Sequence, residues 1–253
     1  TLGPPEPPDP TELPAPPEPT SRRLDFKSGN PVIPMRLMEN AASVTFSARG
    51  RLKLRLAGKL QKTIDTAPGA VWTVRIRQST PAVVVAGIQL AEFPFADKAG
   101  VAAAQLELEG QRLKVALRVL GGVFGIAGKV IDNRRYLLML DEPPRALEQA
   151  QARQAELLQQ AGLRTTLLEE LQTPPTAILE ILDAAGASVG LAEDRILAEP
   201  VEGATLDVRK VEYGVGYDNH AFEDRSFRGA LQLSADRGGK IAVTNLVGLE
   251  DLL

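Results

Sequence analysis

The sequence predicts a β-rich α+β fold, and three observations carry that prediction. Apolar residues alternate with polar ones over most of residues 44–119, one alanine- and glutamine-rich stretch at 146–161 has helical spacing, and a glycine-turn hairpin closes the chain. Residues 1–20 hold nine prolines, four carboxylates and no basic side chain. Such a segment buries too little apolar surface to offset its ordering entropy, so 1–29 is expected to be a disordered, Pro-rich tether.

After the tether, Val44 and Phe46, then Leu52, Leu54 and Leu56, alternate as half-buried strands do. Trp72, Val74 and Ile76 repeat the pattern against Arg75 and Arg77, and Val83–Ile88 is a continuous branched run. Leu106 and Leu108 lead through Glu109-Gly110-Gln111-Arg112 into Leu113, Val115, Leu117 and Val119, which reads as a hairpin. The expected unit is a small antiparallel β domain over 30–112.

The period then changes. Tyr136–Leu140 is an apolar strand and Pro143-Pro144 ends it. Leu147, Ala150, Leu157, Leu158 and Ala161 then fall near one face of a helix, and Gly162 is placed to cap it in the left-handed conformation. Leu163–Leu168 and Ala177–Leu182 read as two further strands, with a turn at Asp183-Ala184-Ala185-Gly186. This β-α-β-β order over 113–199 resembles a SPOR-type module in topology and helix character, and a generic α+β spacer fits the same order. The resemblance implies binding to peptide-stripped glycan strands, for which Arg134, Arg135 and Tyr136 are the candidate contacts.

In the last segment, Phe227, Ala230, Leu231 and Leu233 form a strand, Asp236-Arg237-Gly238-Gly239 a turn, and Ile241, Val243 and Leu246 the return. Phe227-Arg228-Gly229, Leu231, Leu233, Ile241, Val243, Asn245, Leu246, Leu249-Glu250, Leu252 and Leu253 resemble the opening of the SpoIID/LytB family of bacterial cell-wall proteins. Pro31–Leu37, Ser43–Ser47 and Arg51–Leu54 resemble the N-terminal β region that often precedes its catalytic domain. The resemblance implies that 200–253 is the incomplete start of a SpoIID-like domain. The family's catalytic glutamate, in a Pro-x-Glu-Met segment, would then lie beyond Leu253. Leu246, Leu249, Leu252 and Leu253 would accordingly lack burying partners.

The chemical inventory excludes several classes. The 253 residues contain no cysteine and one histidine, which leaves no disulfide, thiolate metal site or cysteine nucleophile. His220 has no Gly-x-Ser-x-Gly elbow to serve and reads as a polar loop residue. Asp218, Glu223 and Asp224 do not match a calcium loop, and Gly121, Gly122, Gly125 and Gly128 do not form a phosphate cradle. These glycines read as close backbone approach or an irregular loop, and Glu250 as a carboxylate in a helix's first turn. No catalytic residue, metal or cofactor is expected, and a net charge of −3 makes no case for nucleic acid. No apolar run reaches membrane-spanning length.

The chain opens at Thr1 rather than methionine, and a removed signal peptide fits the family resemblance. Together these readings predict the noncatalytic targeting or scaffolding part of an extracytoplasmic envelope protein. Its partners would be peptidoglycan glycan strands or a cell-wall amidase, and its parent a lytic transglycosylase or amidase enhancer. The alternative is an envelope interaction protein with no enzymatic activity.

Overall fold

The computed structural model describes residues 25–252 apart from 28, 59–60, 101, 103–112, 127–128 and 215–216. Residues 1–24 and 28 of the expected tether, the Leu106–Arg112 part of the first hairpin, Gly128 and Leu253 lie outside the described residues. Phe26–Lys27, expected in the tether, instead form a strand paired with Asn30 and Pro31, because the turn at Gly29 brings them beside the following strand. The chain divides into two compact units, one of residues 84–172 and one in which 25–83 join 173–252. The architecture is β-rich, with curled antiparallel sheets.

The discontinuous unit is built from two facing sheets. Edge to edge, the seven-stranded sheet runs β1 (Phe26–Lys27), β2 (Asn30–Ala41), β20 (Ile241–Gly248), β19 (Ala230–Ala235), β16 (Arg195–Pro200), β4 (Leu52–Leu56) and β5 (Lys62–Asp65). The six-stranded sheet runs β15 (Ser188–Glu193), β14 (Thr176–Leu182), β6 (Val71–Thr80), β3 (Ser43–Ala48), β17 (Leu206–Tyr213) and β18 (Ala221–Phe227). Alternation supplies the core between them: Leu54, Leu56, Ile196, Leu231, Leu233, Ile241 and Val243 from the first sheet meet Val44, Phe46, Val74, Leu179, Ile181, Leu206 and Val208 from the second.

On the outer face of β14, Glu180 is the one buried carboxylate among the described residues. A hydrogen bond from Ser188, followed in weight by one from Arg75, holds it below its ordinary range. Arg75 Nε lies 2.9 Å from Glu180 Oε2. The two residues are direct partners across the β6–β14 ladder, so register places this ion pair.

The other unit holds a five-stranded sheet and a two-stranded ribbon. In the sheet, β12 (Arg145–Ala146), β7 (Val83–Phe93), β11 (Arg135–Leu140) and β8 (Val115–Leu120) lie side by side, and β13 (Thr166–Thr173) also pairs with β7. The ribbon joins β9 (Val123–Ile126) to β10 (Lys129–Asp132). At its base Gly121 has φ 83° and an added Cβ would stand 2.4 Å from Asn133 O, the close backbone approach expected of these glycines.

Helix α1 (Leu147–Ala161) ends at Gly162, whose φ is 66°. The N–H groups of Gly162 and Leu163 donate to the carbonyls of Leu158 and Leu157, as a left-handed helix cap requires. Leu157 packs with Ile88 and Leu140, whereas Leu158, expected on the same face, is exposed.

The pairing departs from the sequence segmentation at 112 and 199. The expected β-α-β-β order is present along the chain, yet β13 pairs with β7 while β14 pairs with β6 and β15 in the other unit. Likewise, the strands of 30–83 do not close on themselves but share both sheets with 176–248. Strand pairing depends on partners distant in sequence, which periodicity does not specify.

The final hairpin lies inside this core. Its return strand β20 is hydrogen-bonded to β19 on one side and β2 on the other, and Ile241 and Val243 are fully buried. Of the leucines expected to lack partners, Leu246 is half-buried while Leu249 and Leu252 are exposed. Replacing the core residue Leu231 with alanine should cost this unit about 2–5 kcal/mol, as large-to-small core changes do. Leu249→Ala should cost less than about 0.5 kcal/mol. Urea denaturation of the two variants measures the difference.

Candidate functional site

Phe227 ends β18 as a partner of Leu206 in the six-stranded sheet, and Ala230 opens β19 as a partner of Leu246 in the seven-stranded sheet. Arg228-Gly229 is therefore the corner at which the chain changes sheets. Gly229 makes the corner possible: its φ is 81°, and an added Cβ would stand 2.2 Å from Leu246 O.

Asn245 continues the inward row of Ile241 and Val243, and is 3% exposed. A buried amide needs partners. Its Nδ2 donates to Arg228 O at 2.8 Å and Ala230 O at 3.1 Å, clamping the corner on both sides of Gly229. The spacing of Phe227-Arg228-Gly229 and Asn245, singled out in the sequence, thus has a local physical cause.

The Arg228 side chain lines an open groove of about 730 Å³ at this end of the sandwich. Phe26, Lys27 and Asn30 contribute from β1 and β2, Leu197 and Glu199 from β16, and Gly248 and Asp251 from β20 and the 3₁₀ turn Leu249–Asp251 after it. Phe26 is 64% exposed. Arg228 Nη1 meets Asp251 Oδ1 at 3.2 Å, with both side chains largely in solvent. Glu199 is paired with Arg55 at 2.6 Å. The groove thus offers an aromatic face beside clustered donors and acceptors, a composition suited to a hydroxyl-rich ligand.

The residues expected to contact glycan lie elsewhere, in the unit of 84–172, and do not form one surface. Tyr136 sits in β11, 8% exposed, packed with Ala99 and Val119. Arg135 faces the opposite side of the strand, as consecutive strand residues must, and pairs with Glu92 at 3.2 Å. Arg134 is already engaged: its Nη2 meets Asp132 Oδ2 at 2.7 Å and its Nε meets Oδ1 at 3.0 Å. That side-chain contact, joined by the Arg134 backbone N–H, lowers the Asp132 carboxyl to about 2.

The remaining candidates are bound up locally. His220 Nε2 lies 2.7 Å from Glu212 Oε1, and its ring is 5.5 Å from Phe222. Asp224 Oδ1 accepts from the Lys210 N–H at 2.9 Å, and Glu223 pairs with Arg225. Glu250 is exposed in the 3₁₀ turn, and its partner in the motif, Leu249, is exposed too. Among the described residues, no group of three or more His, Asp or Glu side chains could hold a metal ion, and no helix is long and apolar enough to cross a membrane.

No family model, curated protein or solved structure matches the chain. Sequence reasoning did not find the groove, because Phe26 and Lys27 reach Arg228 only through the pairing of β1 with β2 and of β2 with β20. Its one legible signal was the Arg228-Gly229 motif.

The depressed Asp132 carboxyl depends on one neighbour. Arg134→Ala should return its titration midpoint from about 2 toward the ordinary 3.8. The group's preference for the ionised native form is fully present above its ordinary value and fades as pH falls through about 2, so the variant should lose this contribution at neutral pH and match the unaltered protein only below about 2. Side-chain carboxyl NMR of Asp132 against pH measures it.

Proposed function

We propose that this chain is a noncatalytic targeting or scaffolding part of a bacterial envelope protein, working outside the cytoplasm, that holds or positions its parent on peptidoglycan. The parent would be a SpoIID/LytB-like glycan-cleaving enzyme or an amidase enhancer. What carries the reading is the clamped corner: residues of the SpoIID-like motif, Gly229 and Asn245, set Arg228 into a groove beside the exposed ring of Phe26.

A sugar ring offers hydroxyls that both donate and accept, and faces of C–H groups that pack on aromatic rings. Arg228, Asn30 and Lys27 supply donors, Asp251 and Glu199 supply acceptors, and Phe26 supplies the apolar face. The groove is open, and its single aromatic suits modest affinity, as fits a module that positions a larger protein along a polymer. Catalysis of glycan cleavage would need a carboxylic acid held protonated by its surroundings. Glu199 and Asp251 are each ion-paired with an arginine, Glu199 with Arg55 and Asp251 with Arg228.

Purified sacculi should retain the chain on sedimentation without release of soluble muropeptides. Phe26→Ala and Arg228→Ala should each weaken retention by about tenfold or less, the worth of one aromatic or charged contact. Arg134→Ala with Arg135→Ala should leave it unchanged. Failure of the unaltered protein to sediment with sacculi favours the interaction-protein reading, and muropeptide release above a heat-killed control contradicts the noncatalytic one.

A further inference from the structure

Arg228 is held less firmly than Arg134 or Arg153, and much as Arg135 is by its one 3.2 Å contact to Glu92, but of these four only Arg228 lines the groove. Arg134 is held by two oxygens of Asp132, and Arg153 by Glu142 and Glu156 together. Arg228 has one contact, at 3.2 Å, to an Asp251 carboxylate that is itself 46% exposed. An exposed single-contact ion pair contributes little stability, so it exchanges partners readily. Lys27 makes no ion pair among the described residues. With Glu199 neutralised by Arg55, the charges facing the groove reduce to Lys27 and Arg228 against Asp25 and Asp251.

We propose that the groove selects glycans whose sugars carry a carboxylate, and that Asp251 is an internal competitor which the ligand's carboxylate displaces from Arg228. This rests on the reading of the groove as a glycan site and adds which glycan it prefers. A guanidinium presents a planar fork that matches a carboxylate with two parallel hydrogen bonds, more than the single contact that Asp251 makes here. Gly229 and the Asn245 clamp fix the backbone from which Arg228 projects, so the arginine needs no rearrangement of the corner to change partners. Released from Arg228, Asp251 remains at the groove wall as an acceptor for a sugar hydroxyl.

Calorimetric titration of the whole chain tests this with peptide-free peptidoglycan glycan tetrasaccharide, whose muramic residues carry lactyl carboxylates, and with the same tetrasaccharide after its carboxylates are converted to amides. The native sugar should bind about tenfold more tightly than the amidated one. Arg228→Gln should abolish that preference. Asp251→Asn should strengthen binding of the native sugar several-fold and leave the amidated one unchanged, a gain that a merely structural Asp251 would not produce.

Equal binding of the two sugars by the unaltered protein would overturn the selectivity while leaving the glycan site standing, and that comparison needs no variant to fold. Loss of both affinities alike in a folded Asp251→Asn protein would overturn the competitor role. Binding of neither sugar would sink the inference together with the glycan reading beneath it.

Discussion

The position of one strand, β20, organises this molecule. It lies between β2 and β19 in the seven-stranded sheet and is buried on both faces from Ile241 through Asn245. Through it, residues 32–41 are hydrogen-bonded to residues some 200 positions later, and the two arms of the discontinuous unit become one core. Contacts so distant in sequence carry a loop-closure cost that grows only slowly with the length enclosed, so an intervening unit of this size is thermodynamically tolerable. The local geometry helps: Thr80, near the end of β6, is the ladder partner of Thr176 at the start of β14. The chain thus leaves and re-enters the sandwich at neighbouring points, as domain insertions generally require.

How much of this was legible in the sequence follows from which interactions are local. The alternations at Val44–Phe46, Leu52–Leu56 and Trp72–Ile76 are strands because period two is a property of the backbone itself. Helix α1 and its Gly162 cap, and the Asp236–Gly239 turn, were readable for the same reason. Partner choice was not. Nothing in the apolar run of β14 says that it pairs with β6 rather than β13, because both candidates present the same kind of surface, and burial in the assembled core decides. The expected boundaries at 112 and 199 followed sequence continuity, whereas the compact units follow pairing.

The site shows the same division. Arg134, Arg135 and Tyr136 were the candidate glycan contacts, but adjacent strand residues send side chains to opposite faces, and the Tyr136 ring is buried against Ala99 and Val119. The residues that do converge, Phe26, Glu199, Arg228 and Asp251, come from four separate stretches. The motif around Gly229 was legible as a pattern, and the structure supplies its physics. This sheet-switching corner leaves no room for a Cβ at Gly229, and the buried amide of Asn245 donates to the carbonyls of Arg228 and Ala230 on either side of it. The glycan reading is attached to that corner, so it depends on β20 being where it is.

Hydrogen exchange on the isolated chain in dilute solution tests that placement most directly. With β20 paired on both sides, the amides of residues 241–247 should exchange only through opening of the whole sandwich, and as slowly as those of β4 and β16 in the same sheet. Exchange of 241–247 near the rates of an unstructured peptide, while β4 and β16 stay protected, would show that the final hairpin is not part of this core and would contradict the account.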